Sequence, residues 1–310
     1  MNAIVTTTIN PPTEAILRFA NKNGWDLFVV GDLKTPHTLY ERMAAAHPRM
    51  RYIHPDEQEG RHPQLSELIG WNCIQRRNFG FIEVFQLGSY DVVATVDDDN
   101  IPYSGWGTNI LVNTRASVRM YDTDSVVFDP LSPTNRNELW HRGFPIELVR
   151  GKNKITDIGP EDVSVLVQAD LWEGEADVDA IERIHMNTTG AITGPFPYAS
   201  KKISPFNSQN TFISTKALQD YFLFPHIGRM DDIWASYFFQ GKHPNSVVYH
   251  SPSVIQIRNE HRIFTDMKNE MIGYDHSLEA AKNPMSICNF VPGKSWEAFM
   301  EYRRILTQAP

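Results

Sequence analysis

The chain has 310 residues, 41% of them apolar and 21% charged, with a net charge of −8. A chain of this length buries a substantial core, its composition is that of an ordinary globule, and no basic stripe marks a nucleic-acid binder. Cys73 and Cys288 stand alone, without zinc spacing. No apolar run approaches the roughly 20 residues of a membrane span, and the N-terminus enters a β-rich run without a basic leader, so the expectation is a cytoplasmic protein with no transmembrane segment.

In chain order, Ala3–Ile9 reads as a strand, and Thr13–Asn23 has helical spacing before Gly24. "DLFVVG" (26–31) is a second apolar strand, followed by the polar loop "DLKTP". Thr38–Ala46 reads as a helix ended by His47-Pro48, and a longer helix is expected from about Asn72 to Leu87, with Gly88 at its end. Asp91–Val96 is then a strand running straight into Asp97, Asp98 and Asp99. This alternation builds a parallel sheet, whose ligands bind beyond the carboxyl ends of the strands. "TTTIN", "GDLKTP" and "DDDN" all lie at such ends. Neither a dinucleotide fingerprint nor a phosphate loop is present. In the second half, Val163–Ala169 and Ser246–Tyr249 read as strands, and Asp177–Ile184, Asp231–Gln240 and Ser295–Thr307 as helices. No repeat or clean linker divides the chain, so a single domain is expected. About 1–110 would form a nucleotide-binding half and about 111–310 an acceptor or sugar-binding half.

Three adjacent carboxylates repel one another unless a cation or strong donors offset them. Asp97-Asp98-Asp99 is therefore either a solvated acidic turn or a cation site. In an extended segment Asp97 and Asp99 share a side, and their hard oxygens suit Mn²⁺ or Mg²⁺ bridging a diphosphate. Asp231 and Asp232 open a helix, where carboxylates cap the dipole or serve as a general base. His250, at a strand end, is either structural or a further metal ligand. Arg76, Arg77 and Asn78 are either surface charge or contacts to a diphosphate or base. Lys34, Arg142, Arg150, Lys201, Lys202 and Arg229 are the other cations near these motifs.

Taken in order, "ATVDDDN", "LWEGEADVDA", "FNSQNTFIS", "GRMDDIWASYF" and "VVYHS" resemble the reversibly glycosylated polypeptides, the UDP-arabinopyranose mutases. "GDLKTP", "RRNFGF" and "DDDN" also resemble STELLO-type glycosyltransferase-like proteins. The resemblance implies a GT-A fold, an α/β mixed central sheet flanked by helices, with a UDP-sugar site and a divalent cation. Its D-x-D falls on Asp97 and Asp99: Asp99 would ligate the metal, and Asp97 would lean toward the ribose or a metal-bound water. His250 matches the late metal-shell histidine, and Asp32 would hold the uracil edge. Arg77 and Asn78 match an Arg-Asn-x-Gly segment near the nucleotide. Thr7, Lys34, Arg76, Asp98 and Asn210 complete the expected nucleotide and sugar contacts. Asp231 and Asp232, with Arg229 beside them, would carry the chemistry, and Arg142 matches the arginine that is reversibly glycosylated.

The leading expectation is thus a metal-dependent glycosyltransferase moving sugar from a nucleotide donor to a glycan or protein acceptor. A UDP-sugar mutase with self-glycosylation at Arg142, and a non-catalytic sugar-nucleotide-binding scaffold, are the alternatives. A homo-oligomer is compatible with the aromatic-rich C-terminal half.

Overall fold

The structure, a computed structural model, describes residues 1–257 and 262–308. Its strands and helices run β1 Asn2–Thr8, α1 Glu14–Ala20, β2 Trp25–Gly31, α2 His37–Ala46, β3 Met50–Ile53, α3 Pro55–Arg61 and α4 Pro63–Ile69. After a single 3₁₀ turn at Ile74–Arg76 come α5 Arg77–Leu87, β4 Val92–Val96, β5 Asn100–Pro102, β6 Arg115–Thr123, β7 Ile155–Ser164 and β8 Val167–Glu175. The remainder is α6 Ala180–His185, β9 Thr189–Gly190, β10 Tyr198–Ser200, β11 Asn210–Ser214, α7 Asp231–Lys242, β12 Val247–Gln256, α8 Ile263–Lys282 and α9 Gly293–Thr307.

All twelve strands join one sheet, in the order β3-β2-β1-β4-β11-β8-β12-β10-β6-β7, with β5 on β12 and β9 on β8. The first four are parallel. From β11 onward the sheet is mixed, so the expected mixed α/β architecture is what forms. β1 lies between β2 and β4. The chain therefore leaves β1 in one direction and later returns to its other side, which opens a crevice at the carboxyl ends of β1 and β4.

The parallel strands read as near-continuous apolar runs because both faces are covered; β4 is buried throughout. Helix α5 lies close on this sheet. A Cβ at Gly80 would come within 2.4 Å of Val5 Cγ1 and 2.9 Å of Val30 Cγ2, so "RRNFG" ends in glycine for packing. On the other side Trp25, Trp106 and Phe212 stack within 5.6 Å of one another.

Several expected elements shift. The helix expected from Asn72 begins at Arg77, because Asn72 adopts a positive φ of 59° and only one 3₁₀ turn intervenes. The α1 helix is shorter than expected, capped by the Thr13 side chain and ended at Asn21. Val163–Ala169 is not one strand but the end of β7 and the start of β8. The corner residue Val165 is buried like Val163 and Val167 on either side of it, with Ser164 exposed between, so the apolar pattern does not mark the corner. The β6–β7 hairpin, β3, α3, α4 and the 20-residue α8 were not anticipated.

Candidate active site

The three aspartates after β4 part company. Asp98 accepts hydrogen bonds from Thr8 Oγ1 and from Asn10 Nδ2 at 3.0 Å, and its carbonyl accepts from Thr13 Oγ1 at 2.5 Å. It lines a cavity of about 240 Å³ together with Thr7, Asp32, Lys34, Asn72 and Cys73. Asp97 and Asp99 instead line a second cavity of similar volume, with Arg142, Asp177, Arg229, Asp231 and Asp232 among its walls. Ile74 belongs to both linings, so the cavities adjoin. The three aspartates do not form the extended segment expected of them: Asp98 and Asp99 lie in a turn closed by the Asn100 N–H on the Asp97 carbonyl at 3.3 Å. With this turn Asp98 faces one chamber and Asp97 and Asp99 the other, so the crevice at the switch point becomes a two-chambered site.

In the first chamber, Asp32 is buried and accepts the backbone N–H groups of Asn72 and Cys73, each at 2.9 Å. It thereby ties the loop before α5 to the end of β2. Thr7 donates its hydroxyl to the Val30 carbonyl, and Lys34 lies exposed at the rim. Burial pushes the Cys73 thiol up to about 11, so it stays a thiol at neutral pH.

In the second chamber, Asp97 receives Arg77 Nη2 at 2.6 Å. Arg77 itself is 1% exposed and also donates to Thr95 Oγ1 and to the Ser208 carbonyl and hydroxyl. It braces Asp97 from behind rather than lining either chamber. Arg142 donates from Nε and Nη2 to Asp177 at 2.8–3.1 Å and from Nη1 and Nη2 to Asp232 at 3.0 and 3.1 Å. These carboxylates hold its guanidinium well above the usual range despite burial. Asp232 also accepts the Ser208 N–H at 2.9 Å. Asp231 accepts Gln75 Nε2 at 2.7 Å. Burial, reinforced by the neighbouring Asp232, pushes Asp231 up to about 7. Arg229 reaches the wall from the turn before α7, its Nε bonded to Glu270 of α8 at 2.8 Å.

Several expected contacts are corrected. Arg76 is fully buried, donates to Gln58, Ser66 and Gly70, and lies over the Trp71 ring at 3.5 Å; burial lowers it to about 10. It locks α3 and α4 to α5 and faces no cavity. Asn78 exchanges two hydrogen bonds with the backbone of Leu223. Asn210 is spent on Trp106, Leu171 and Ser253. Asn78 and Asn210 are polar groups satisfied in the interior, while Arg76 leaves its buried Nη2 without an acceptor. His250 is not with Asp97 and Asp99. It pairs across to Asp170, whereas the backbone of Asp99 meets the far end of β12 at Ile257, seven residues on, or roughly 20 Å at the usual rise per residue. Arg142 lines the second chamber, where its fork is engaged by Asp177 and Asp232.

Gln75, Asp177, Ser208, Gln209 and Gln256 were not singled out beforehand. Asp177 and Ser208 lie inside the motifs "LWEGEADVDA" and "FNSQNTFIS", which were the available signal.

No protein-family model matches the chain, and no curated protein matches it. Among solved structures, glucosyl-3-phosphoglycerate synthase from Mycobacterium tuberculosis in complex with phosphoglyceric acid is 12% identical, with a TM-score of 0.48 over 91% of this chain and 79% of that one. The same synthase in complex with Mn²⁺ and UDP-glucose is 12% identical, with a TM-score of 0.47 over 90% of this chain and 78% of that one. Among the described residues no helix is long and apolar enough to cross a membrane.

Proposed function

We propose that the chain is a metal-dependent glycosyltransferase of the GT-A type using a nucleotide-sugar donor, UDP-linked by the motifs. The reversibly glycosylated polypeptides and STELLO-type proteins are its proposed kin. The observation that carries the reading is the two-chambered crevice at the ends of the parallel strands, with Asp98 in one chamber and Asp97 and Asp99 in the other. The first chamber takes the nucleoside, where Asp98, Asp32 and Lys34 offer polar contacts. The second takes the sugar and the incoming hydroxyl.

The donor set fits a hard divalent cation. Five carboxylates (Asp97, Asp99, Asp177, Asp231, Asp232) line the second chamber against Arg142 and Arg229. Among the described residues no three metal-ligating side chains gather around one point. Asp99 with Asp97 would hold Mn²⁺ or Mg²⁺, the remaining positions falling to diphosphate and water. Bound there, the ion supplies Lewis-acid neutralisation of the leaving diphosphate.

The chain's own groups divide the other tasks. Asp232, fixed by Arg142 and Ser208, is a positioning group. Asp231, whose proton is held to about pH 7, is matched to a general base for the acceptor hydroxyl. Neighbouring carboxylates with divergent surroundings are the usual basis of such a division. Arg229 adds charge near the reacting bond.

The test is calorimetric titration of UDP and UDP-sugars, with and without Mn²⁺, into wild type and Asp99→Ala. Metal-dependent UDP binding that disappears in the variant is expected. Absence of uridine-nucleotide binding by the folded wild type would sink the proposal.

A further inference from the structure

A third hollow of about 240 Å³ shares no lining residue with the other two. Its walls are the loop after β5, the middle of β8 and a bulge in β12 between His250 and Val254, where the register with β8 shifts. Such a bulge bows the strand outward and re-aims its side chains.

The hollow contains a buried carboxylate, Asp170, that differs from the ion-paired carboxylates of this chain. Asp97, Asp129, Asp232 and Glu270 each meet an arginine or lysine. Asp170 is 5% exposed and, among the described residues, faces no such cation. It accepts Gln168 Nε2 at 2.7 Å and lies 4.0 Å from His250 Nδ1. A carboxylate buried among neutral dipoles carries a desolvation cost, and burial pushes it up to about 7 while lowering the His250 imidazole. Near neutrality Asp170 is thus uncharged in a large share of molecules and the His250 imidazole is neutral, which suits a neutral ligand.

The polar wall is fixed before any ligand arrives. Gln168 Oε1 accepts the Leu111 N–H at 2.8 Å, Ser253 is bonded to Asn210 at 3.0 Å, and Tyr103 donates to Glu173 at 2.5 Å. Rotamers locked this way are what a binding site requires. Ile110 and Pro252 also line the hollow, while Gly105 and Gly107 bring no side chain into the space. A lining that mixes polar and apolar groups matches a ring with hydroxyl edges and C–H faces. The volume equals about eight waters at ~30 Å³ each, which suits one ring rather than an oligosaccharide.

We propose that this hollow binds a neutral polyhydroxylated ring, a monosaccharide or cyclitol, through hydrogen bonds to Asp170, His250 and Ser251 and apolar contact with Ile110 and Pro252. The site is separate from the nucleotide-sugar crevice and does not depend on that reading.

The experiment is NMR titration of the full chain, ¹⁵N-labelled at tryptophan and histidine, with glucose, galactose, mannose and myo-inositol. The probes are the Trp106 indole N–H, bonded to Asn210 at 2.9 Å, and the His250 ring. Saturable shifts of both with at least one ring compound are expected, unaffected by saturating UDP and Mn²⁺. Asp170→Asn should weaken the affinity at least tenfold, and Ser251→Phe, which plugs the mouth, should abolish it. The proposal is overturned if none of the compounds shifts these probes saturably. It is also overturned if UDP with Mn²⁺ displaces them, if both folded variants bind as wild type does, or if methylammonium binds more tightly than every sugar.

Discussion

Arg77 and Asp97, twenty residues apart in sequence, form an ion pair of 2.6 Å in which the arginine is 1% exposed. The same guanidinium holds Thr95 of β4 and Ser208 of the segment before β11, so one side chain sets the position of the first aspartate and joins two neighbouring strands. Arg77→Ala would leave a carboxylate and two hydroxyls without their donor, and the expected loss of stability is about 3–5 kcal/mol. Arg77→Lys should recover only part of it, since an ammonium lacks the planar fork. Urea denaturation of the two variants measures both.

Asp231 should govern the pH dependence of turnover. Its carboxylate is the basic form, and its proton leaves at about pH 7. The rate should therefore climb roughly tenfold per pH unit below that value and level off above it. Asp231→Asn should lower turnover by about 10²–10⁴ with nucleotide affinity retained. Release of UDP from the donor, followed from pH 5 to 9, is the measurement. A flat profile would remove Asp231 from the role of base.

Asp170 makes a different prediction, for stability. Its folded pKa of about 7 lies above the ordinary 3.8, so the protonated group favours the folded state. That contribution is complete below about pH 4 and is lost as pH rises through about 7. Wild type should lose stability relative to Asp170→Asn across this window, by an amount on the order of 4 kcal/mol. Chemical denaturation at pH 4 and pH 8 decides it; a constant difference between the two proteins would contradict the assignment.

Gly228 should resist replacement. It adopts φ +61°, and a Cβ would sit 2.1 Å from the Asn269 carbonyl oxygen in α8. Backbone cannot yield as a flexible side chain can, so Gly228→Ala should cost roughly 1–3 kcal/mol from the dihedral alone, with the clash added. The turn that carries Arg229 should shift with it, visible as a lowered Tm and weaker donor binding.

Much of the first half was legible because strand and helix alternate there and each strand ends in a polar loop. Asp97, Asp98 and Asp99 could be placed at a sheet rim from the apolar run before them, but the turn that sets Asp98 apart from the other two was not readable, since an extended continuation was expected there. Arg76 and Asn78 were misread for one reason: polar residues in a helix look the same in sequence whether they face a ligand or satisfy buried carbonyls. His250 failed because β12 continues to Gln256, beyond the Val-Val-Tyr run that marked it, which moves the histidine away from the crevice. The partners of Asp231 and Asp232 come from residues as distant as Gln75 and Arg142, and no local pattern encodes such pairings.

A chain of ion pairs and hydrogen bonds alternating in sign runs along and behind the wall of the second chamber. Asp97 meets Arg77, and Ser208 links Arg77 to Asp232. Arg142 then joins Asp232 to Asp177, Arg229 reaches Asp177 and Glu270, and Arg183 closes on Asp266. Each member is held by neighbours of the opposite sign, so replacing one strands at least one other in the interior. The effects of substitutions along this chain should be strongly epistatic. Reversing one charge would be damaging, while exchanging both members of a pair would recover part of the loss. On the proposed transferase reading, a lineage changing its sugar or acceptor would find the wall hard to alter one residue at a time, and the looser rims at Lys34 and Ile74 easier places to begin.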